Sequence, residues 1–209
     1  MANLNPPVKI KVCGMTQLDD AMMAVDCGAD AVGFIFYKKS PRHVIESTVK
    51  KIVAHLPPFV NRVGVFVNET AERINRLTEV CGLDAVQLHG DESPAFCRKI
   101  KMPVIKAFRM KNADTLASFS KYRVNGYLLD AFDEEQFGGT GRTFDWKWAR
   151  GAKKYGPVIL AGGLTPANVA SAVLQVQPYG VDVCSGVEKS PGKKDPRKIK
   201  AFFKAVRGQ

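Results

Sequence analysis

Eight short apolar runs recur along this chain, each separated from the next by room for one helix. That spacing constrains the fold more than any other feature. The runs cover residues 8–13, 31–36, 62–67, 85–89, 104–109, 126–130, 158–162 and 181–184, and their ends lie 20 to 32 residues apart. Most are rich in Val, Ile, Leu or Phe without polar alternation, as buried parallel strands are. Helix start signals fall between them. Thr16 with Asp19 makes a capping-box pattern, and Thr165-Pro166 and Asp195-Pro196 each place a cap before a proline. After Asp195, Ile199, Phe202, Phe203 and Val206 form one apolar stripe. Eight βα units in 209 residues predict an α/β fold, a single (β/α)8 TIM barrel occupying residues 1–209 as one catalytic domain. The rival is an open doubly wound sheet. It lacks its usual dinucleotide fingerprint, because the first turn reads Cys13-Gly14-Met15-Thr16.

Composition narrows the class. Hydrophobic residues make up 45% and charged residues 24%, as in an ordinary globular domain. No apolar run approaches the ~20 residues of a membrane helix, and the first residues lack a signal-peptide core, so a cytoplasmic chain with no membrane partner is expected. The five cysteines form no CxxC pair and read as free thiols, and with three scattered histidines they predict no metal site. The net charge of +11 reads as a basic surface that also favours an anionic substrate. No zinc-finger or RNA-recognition motif accompanies it, so no nucleic-acid partner is expected.

In a barrel, chemistry belongs at the C-terminal ends of the strands. That rule selects Cys13, Arg42, His89, Asp130, Gly162-Gly163 and Cys184-Ser185-Gly186. Cys13 is a general base or nucleophile, or a buried apolar filler. Lys11, two residues back on the same face, would favour its thiolate. Asp130 ends an apolar strand and is either salt-bridged or an acid–base group. His89 is a substrate contact or a structural histidine. Residues 138–143, Gly-Gly-Thr-Gly-Arg-Thr, are a lid or a surface loop. The glycine turns after strands seven and eight suit a phosphate, held by backbone N–H groups of Gly162, Gly163, Cys184 and Ser185.

The ordered set of motifs resembles the phosphoribosylanthranilate isomerase family of tryptophan biosynthesis. Lys11-Val12-Cys13-Gly14-Met15-Thr16, Ser40-Pro41-Arg42, Gln87-Leu88-His89-Gly90, Leu128-Leu129-Asp130, Leu160-Ala161-Gly162-Gly163-Leu164 and Ser185-Gly186-Val187-Glu188 carry it. The resemblance implies an Amadori rearrangement of a small phosphoribosyl substrate without a cofactor, in a monomer or homodimer. It casts Asp130 as the general acid that opens the furanose and Cys13 as the base that removes the C2 proton. It pairs Arg42 with the anthranilate carboxylate and places His89 against the substrate. The family commonly carries serine or another small polar residue where this chain has Cys184. A related histidine-pathway isomerase would place a carboxylate where Cys13 ends the first strand. A non-catalytic phosphate- or nucleic-acid-binding barrel is the rival of a different class.

Overall fold

The eight apolar runs pair side by side into a closed ring of parallel strands. The structure, a computed structural model, describes residues 7–110, 113–131 and 146–208. The strands are β1 (Lys9–Val12), β2 (Ala31–Ile35), β3 (Asn61–Phe66), β4 (Ala85–Leu88), β5 (Val104–Met110), β6 (Gly126–Ala131), β7 (Val158–Leu160) and β8 (Gly180–Val183). They run in sequence order around a closed barrel, with β1 pairing β8 along Lys9↔Gly180 to Val12↔Val183. Each strand starts and ends within two residues of the expected run.

Helices follow the strands: α1 (Leu18–Asp26), α2 (Glu46–Val53), α3 (Ala71–Cys81), α4 (Pro94–Cys97), α5 (Lys147–Ala152), α6 (Val169–Val176) and α7 (Pro196–Arg207). After β5 the helical place is taken by a 3-10 helix, Ala113–Lys121. Aromatic packing holds it there. Phe119 is fully buried, 3.9 Å from the Phe108 ring and 5.3 Å from Tyr127. The main core fills the layer between sheet and helices, where the apolar helix stripes turn inward. A smaller cluster of Ala107, Leu128 and Ala161, with Ile105 and Ile159, fills the lumen.

The caps came out unevenly. At α7, Asp195 accepts from the Arg197 and Lys198 amides, Pro196 opens the helix, and Ile199, Phe202 and Phe203 are buried. The expected capping box at Thr16 does not form. The helix begins at Leu18 without a side-chain cap, and the Thr16 hydroxyl instead donates to the Gly192 carbonyl. Gly192 lies between β9 (Glu188–Ser190) and β10 (Lys193–Lys194), a small antiparallel pair after β8. Tying this hairpin to the β1 loop outweighs capping α1. The turn at Thr165 also fails to start its helix. Asn168 bonds both the Thr165 amide (2.8 Å) and the Gly163 carbonyl (2.9 Å), clamping the turn, and α6 begins only at Val169.

Candidate active site

The strands deliver the selected residues to one place. Cys13, Arg42, His89, Asp130, Gly162, Gly163, Cys184 and Ser185 all line a single cavity of about 710 Å³ at the C-terminal end of the barrel. Cys13 follows β1 directly, and Asp130 is the last residue but one of β6, with β7 and β8 between them around the ring. Both are buried. The glycine-rich residues 138–143 lie outside the described residues.

His89 follows β4 and joins Asp130. Its Nε2 lies 3.0 Å from Asp130 Oδ2, and its Nδ1 lies 2.8 Å from Gln87 Nε2. All three side chains are buried.

On the opposite side of the cavity two thiols meet. Cys13 and Cys184 extend the neighbouring strands β1 and β8 and hydrogen-bond through sulfur. That bond, then burial, pushes the Cys13 thiol well up from its ordinary value. The same bond lowers Cys184 to about 7, and the Lys194 and Arg42 cations add to the effect. Lys11 does share the face of Cys13 and favours its thiolate, as the sequence predicts. Its pull is outweighed by the Cys184 hydrogen bond, burial and the nearby Asp182 carboxylate. Lys11 is itself committed to Asp182 at 2.9 Å within the lumen. Burial works against its charge, but Asp182 holds its pKa above the ordinary lysine value.

Arg42, in the loop after β2, is buried. Its Nε and Nη2 grip Glu188 at 2.9 and 2.7 Å. Glu188 also accepts from Lys194 Nζ at 2.9 Å. Burial pushes the Glu188 carboxyl up, yet these two cations win and hold it below the usual range. Lys194 also donates to the Cys13 carbonyl (2.6 Å) and the Cys184 carbonyl (3.2 Å), stapling the ends of β1 and β8 together. Glu188, Lys194 and Gln87 were not singled out in the sequence. Glu188 and Gln87 sat inside the motifs as bystanders, and Lys194 was one lysine in a basic stretch that reads as surface. Nothing in its immediate neighbours marks it as buried.

After β7, Gly162 and Gly163 both adopt positive φ, 79° and 62°, a conformation that costs glycine little. Among the described residues no turn or loop hydrogen bond takes up their amides, so the N–H groups are available to an anion. Ser185 starts a 3-10 turn, Ser185–Val187, beside them. A Cβ at Gly186 would clash with the Leu164 carbonyl oxygen, so the two loops touch backbone to backbone there.

The N-(5'phosphoribosyl)anthranilate (PRA) isomerase family matches residues 10–205. The chain belongs to this family. The N-(5'-phosphoribosyl)anthranilate isomerase of Geotalea uraniireducens is 54% identical over 200 residues, covering 96% of this chain and 98% of that one. Among solved structures, phosphoribosyl anthranilate isomerase from Thermotoga maritima shares 45% identity with a TM-score of 0.91, covering 97% of this chain and all of that one. Another phosphoribosyl anthranilate isomerase, solved in complex with reduced 1-(o-carboxyphenylamino)-1-deoxyribulose 5-phosphate, shares 42% identity with a TM-score of 0.86, covering 97% and 100%. As a member of the PRA isomerase family, the chain is an isomerase of tryptophan biosynthesis, and the family reaction is an Amadori rearrangement. Among the described residues no helix is long and apolar enough to cross a membrane.

Proposed function

We propose that this chain converts N-(5'-phosphoribosyl)anthranilate to 1-(2-carboxyphenylamino)-1-deoxyribulose 5-phosphate with Asp130 as general acid and Cys13 as general base. The observation that carries this reading is the gathering of a carboxyl and a thiol into one cavity, on separated strands, with an unsatisfied glycine turn beside them. Asp130 gives a proton to the furanose ring oxygen. The C1–O bond breaks as the anilino nitrogen donates its lone pair, leaving a protonated Schiff base. Cys13, once its own proton has passed to the neighbouring Cys184 sulfur, which ionises first, takes the C2 proton, and the electrons of that C–H bond form C1=C2 and neutralise the nitrogen. The enolamine then gains a proton at C1 and gives up the proton of its C2 hydroxyl, becoming the aminoketose. The substrate nitrogen is the electron sink, so one acid and one base suffice.

The remaining residues bind. A guanidinium has two edges that can grip a carboxylate, and Glu188 takes the Nε/Nη2 edge of Arg42. Arg42 lines the cavity, and its remaining edge suits the anthranilate carboxylate. Backbone amides of Gly162, Gly163, Cys184 and Ser185 surround the phosphate, with the Ser185 hydroxyl as an added donor. His89 holds Asp130 against the sugar. The reading places the enzyme in the cytoplasm, in keeping with its five free cysteines, and treats residues 1–209 as one catalytic domain.

The test is a fluorescence assay of freshly made phosphoribosylanthranilate. Consumption by the wild-type chain with 1-(2-carboxyphenylamino)-1-deoxyribulose 5-phosphate as product supports the reading. Absence of turnover with salt-sensitive retention on DNA would replace it with a binding barrel.

A further inference from the structure

Cys13 and Cys184 occupy matching places at the ends of two hydrogen-bonded strands. The β1–β8 ladder runs in register from Lys9↔Gly180 to Val12↔Val183, and the next position on each strand is a cysteine. The strands have not parted there, because the Cys13 amide donates to the Val183 carbonyl at 2.8 Å. Lys194 holds the next step closed as well, with both cysteine carbonyls on its one ammonium at 2.6 and 3.2 Å. Neighbouring strands lie ~4.8 Å apart, and a disulfide bridges Cα atoms separated by roughly 4.4 to 6.8 Å. The two chain positions therefore need little adjustment to be joined.

The two sulfurs share one side of this ladder. Both cysteines line the cavity, and their thiols meet there. Glycines make the room. A Cβ at Gly33 would stand 2.7 Å from Cys13 Sγ, and one at Gly14 would stand 3.0 Å from Cys184 Sγ. The surroundings of the thiols differ. Cys13 is buried, whereas Cys184 is half-buried, with Lys194 Nζ 3.9 Å from its sulfur. Glu188 Oε1 lies 4.0 Å from the same sulfur, but it is shared between Arg42 Nε and Lys194 Nζ at 2.9 Å each. The Cys13 hydrogen bond, with the Lys194 and Arg42 cations, brings Cys184 down to about 7 against the pull of burial. Cys184 is thus the better nucleophile of the pair. The other three cysteines, Cys27, Cys81 and Cys97, sit at the C-terminal ends of α1, α3 and α4, outside the cavity.

We propose that Cys13 and Cys184 form a reversible dithiol–disulfide site, closed by a peroxide and reopened by a dithiol reductant, and that closure turns the enzyme off. The Cys184 thiolate attacks one oxygen of hydrogen peroxide. An S–O bond forms, the O–O bond breaks, and the departing hydroxide becomes water, leaving a sulfenic acid on Cys184. The Cys13 sulfur then attacks the Cys184 sulfur. The S–S bond forms, the S–O bond breaks, and the second hydroxide leaves with the Cys13 proton as water. Two thiols are oxidised by two electrons in all, and one peroxide is reduced to two waters. In a reducing compartment such a bond is transient and of the redox-sensing kind. A sulfur held in a disulfide has no proton-accepting thiolate to offer, so the closed form lacks its base. Formation of the bond rests on the geometry of the two strands, and the loss of turnover rests on Cys13 being the base.

The experiment treats the wild-type chain with hydrogen peroxide, assays it on phosphoribosylanthranilate, and maps its cysteines by mass spectrometry after alkylation and digestion. A peptide pair linking Cys13 to Cys184 should appear, and the linked fraction should track the lost turnover. Fully linked protein should be slower by at least ~10²-fold, the scale for losing a positioned proton-transfer group, and dithiothreitol should restore both the thiols and the rate. Cys13→Ala gives a readout independent of turnover. With no second thiol to displace it, the sulfenic acid should persist on Cys184 and be captured there by dimedone. Absence of the linked pair in wild type, with or without loss of turnover, would overturn the proposal and leave the base role of Cys13 untouched. A dimedone adduct on another cysteine of Cys13→Ala, with none on Cys184, would overturn it too. A linked pair in protein that still turns over at the untreated rate would overturn the switch and the base assignment together, so the peptide map tells the two failures apart.

Discussion

Arg42 and Glu188 lie 146 residues apart in sequence and close a buried two-point fork, Nε and Nη2 on the carboxylate at 2.7 to 3.0 Å. The fork fixes the guanidinium plane at the wall of the cavity and spends only one of its two edges. On the proposed reading, removing Arg42 removes a substrate contact, whereas removing Glu188 releases a cation that is otherwise held in place. For Arg42→Ala, KM should rise about tenfold to a hundredfold, the scale of ~1.5–3 kcal/mol for a charge-assisted hydrogen bond. Steady-state kinetics check this, and an unchanged KM would remove Arg42 from the substrate.

Glu188→Gln leaves Arg42 and Lys194 without their shared anion. Stability should fall by about 3–5 kcal/mol, as when one partner of a buried pair is lost. Its pH dependence follows from the lowered ionisation of Glu188. A carboxyl depressed in the folded state stabilises fully above the ordinary carboxylate range and loses that contribution as pH falls through its folded value. Denaturant midpoints for wild type should therefore drop in acid more steeply than those of Glu188→Gln. Parallel curves would show that Glu188 contributes nothing through its charge.

The thiol pair makes a reciprocal prediction. The mutual hydrogen bond is the largest cause of both shifts, upward at Cys13 and down to about 7 at Cys184. In Cys184→Ala the Cys13 ionisation should move down, because the bond that retains its proton is gone. In Cys13→Ala the Cys184 ionisation should move up from about 7. Alkylation rates read peptide by peptide across pH measure each. On the proposed reading, in which main-chain amides hold the phosphate, KM in Cys184→Ala should stay within ~1 kcal/mol of wild type, the worth of one net hydrogen bond. Unchanged alkylation profiles would mean that the thiols do not share a proton.

The contact between the loops after β7 and β8 offers a steric test of the proposed phosphate site. Gly186→Ala would drive a methyl into the Leu164 carbonyl, so the loops after β7 and β8 must separate. Inhibition by inorganic phosphate, read as Ki, should weaken by tenfold or more in this variant, about 1.4 kcal/mol or beyond, while Gly28→Ala, far from any neighbour, should leave Ki alone. Equal Ki values would place the phosphate elsewhere.

The barrel was legible because its determinants are local and periodic. Each strand is a short run of Val, Ile, Leu or Phe, and the spacing admits one helix per step. The positions of Cys13, His89 and Asp130 followed from the strand ends. What a strand end cannot show is a partner from another strand. Glu188 meets Arg42 only once the barrel closes, and the stapling of β1 to β8 by Lys194 depends on a hairpin whose two strands have just three and two residues. The cap at Thr16 failed where a tertiary contact outbid a local one, its hydroxyl taken by Gly192, whereas at Thr165 a rival local contact won, with Asn168 clamping the turn. Lys11 misled for the same reason. Its proximity to Cys13 is set by strand alternation, but Asp182 and Cys184, which decide the thiol, come from β8 and the turn after it.

The central claim is that one carboxyl and one thiol perform the rearrangement, and turnover of phosphoribosylanthranilate by Asp130→Asn and Cys13→Ala tests it most directly. Both substitutions are close in size to the residues they replace, and circular dichroism should confirm that the barrel remains folded. Each should lower kcat by at least ~10²-fold, the scale for losing a positioned proton-transfer group, with a much smaller change in substrate affinity. A folded variant of either kind that keeps more than about a tenth of wild-type kcat would contradict the account.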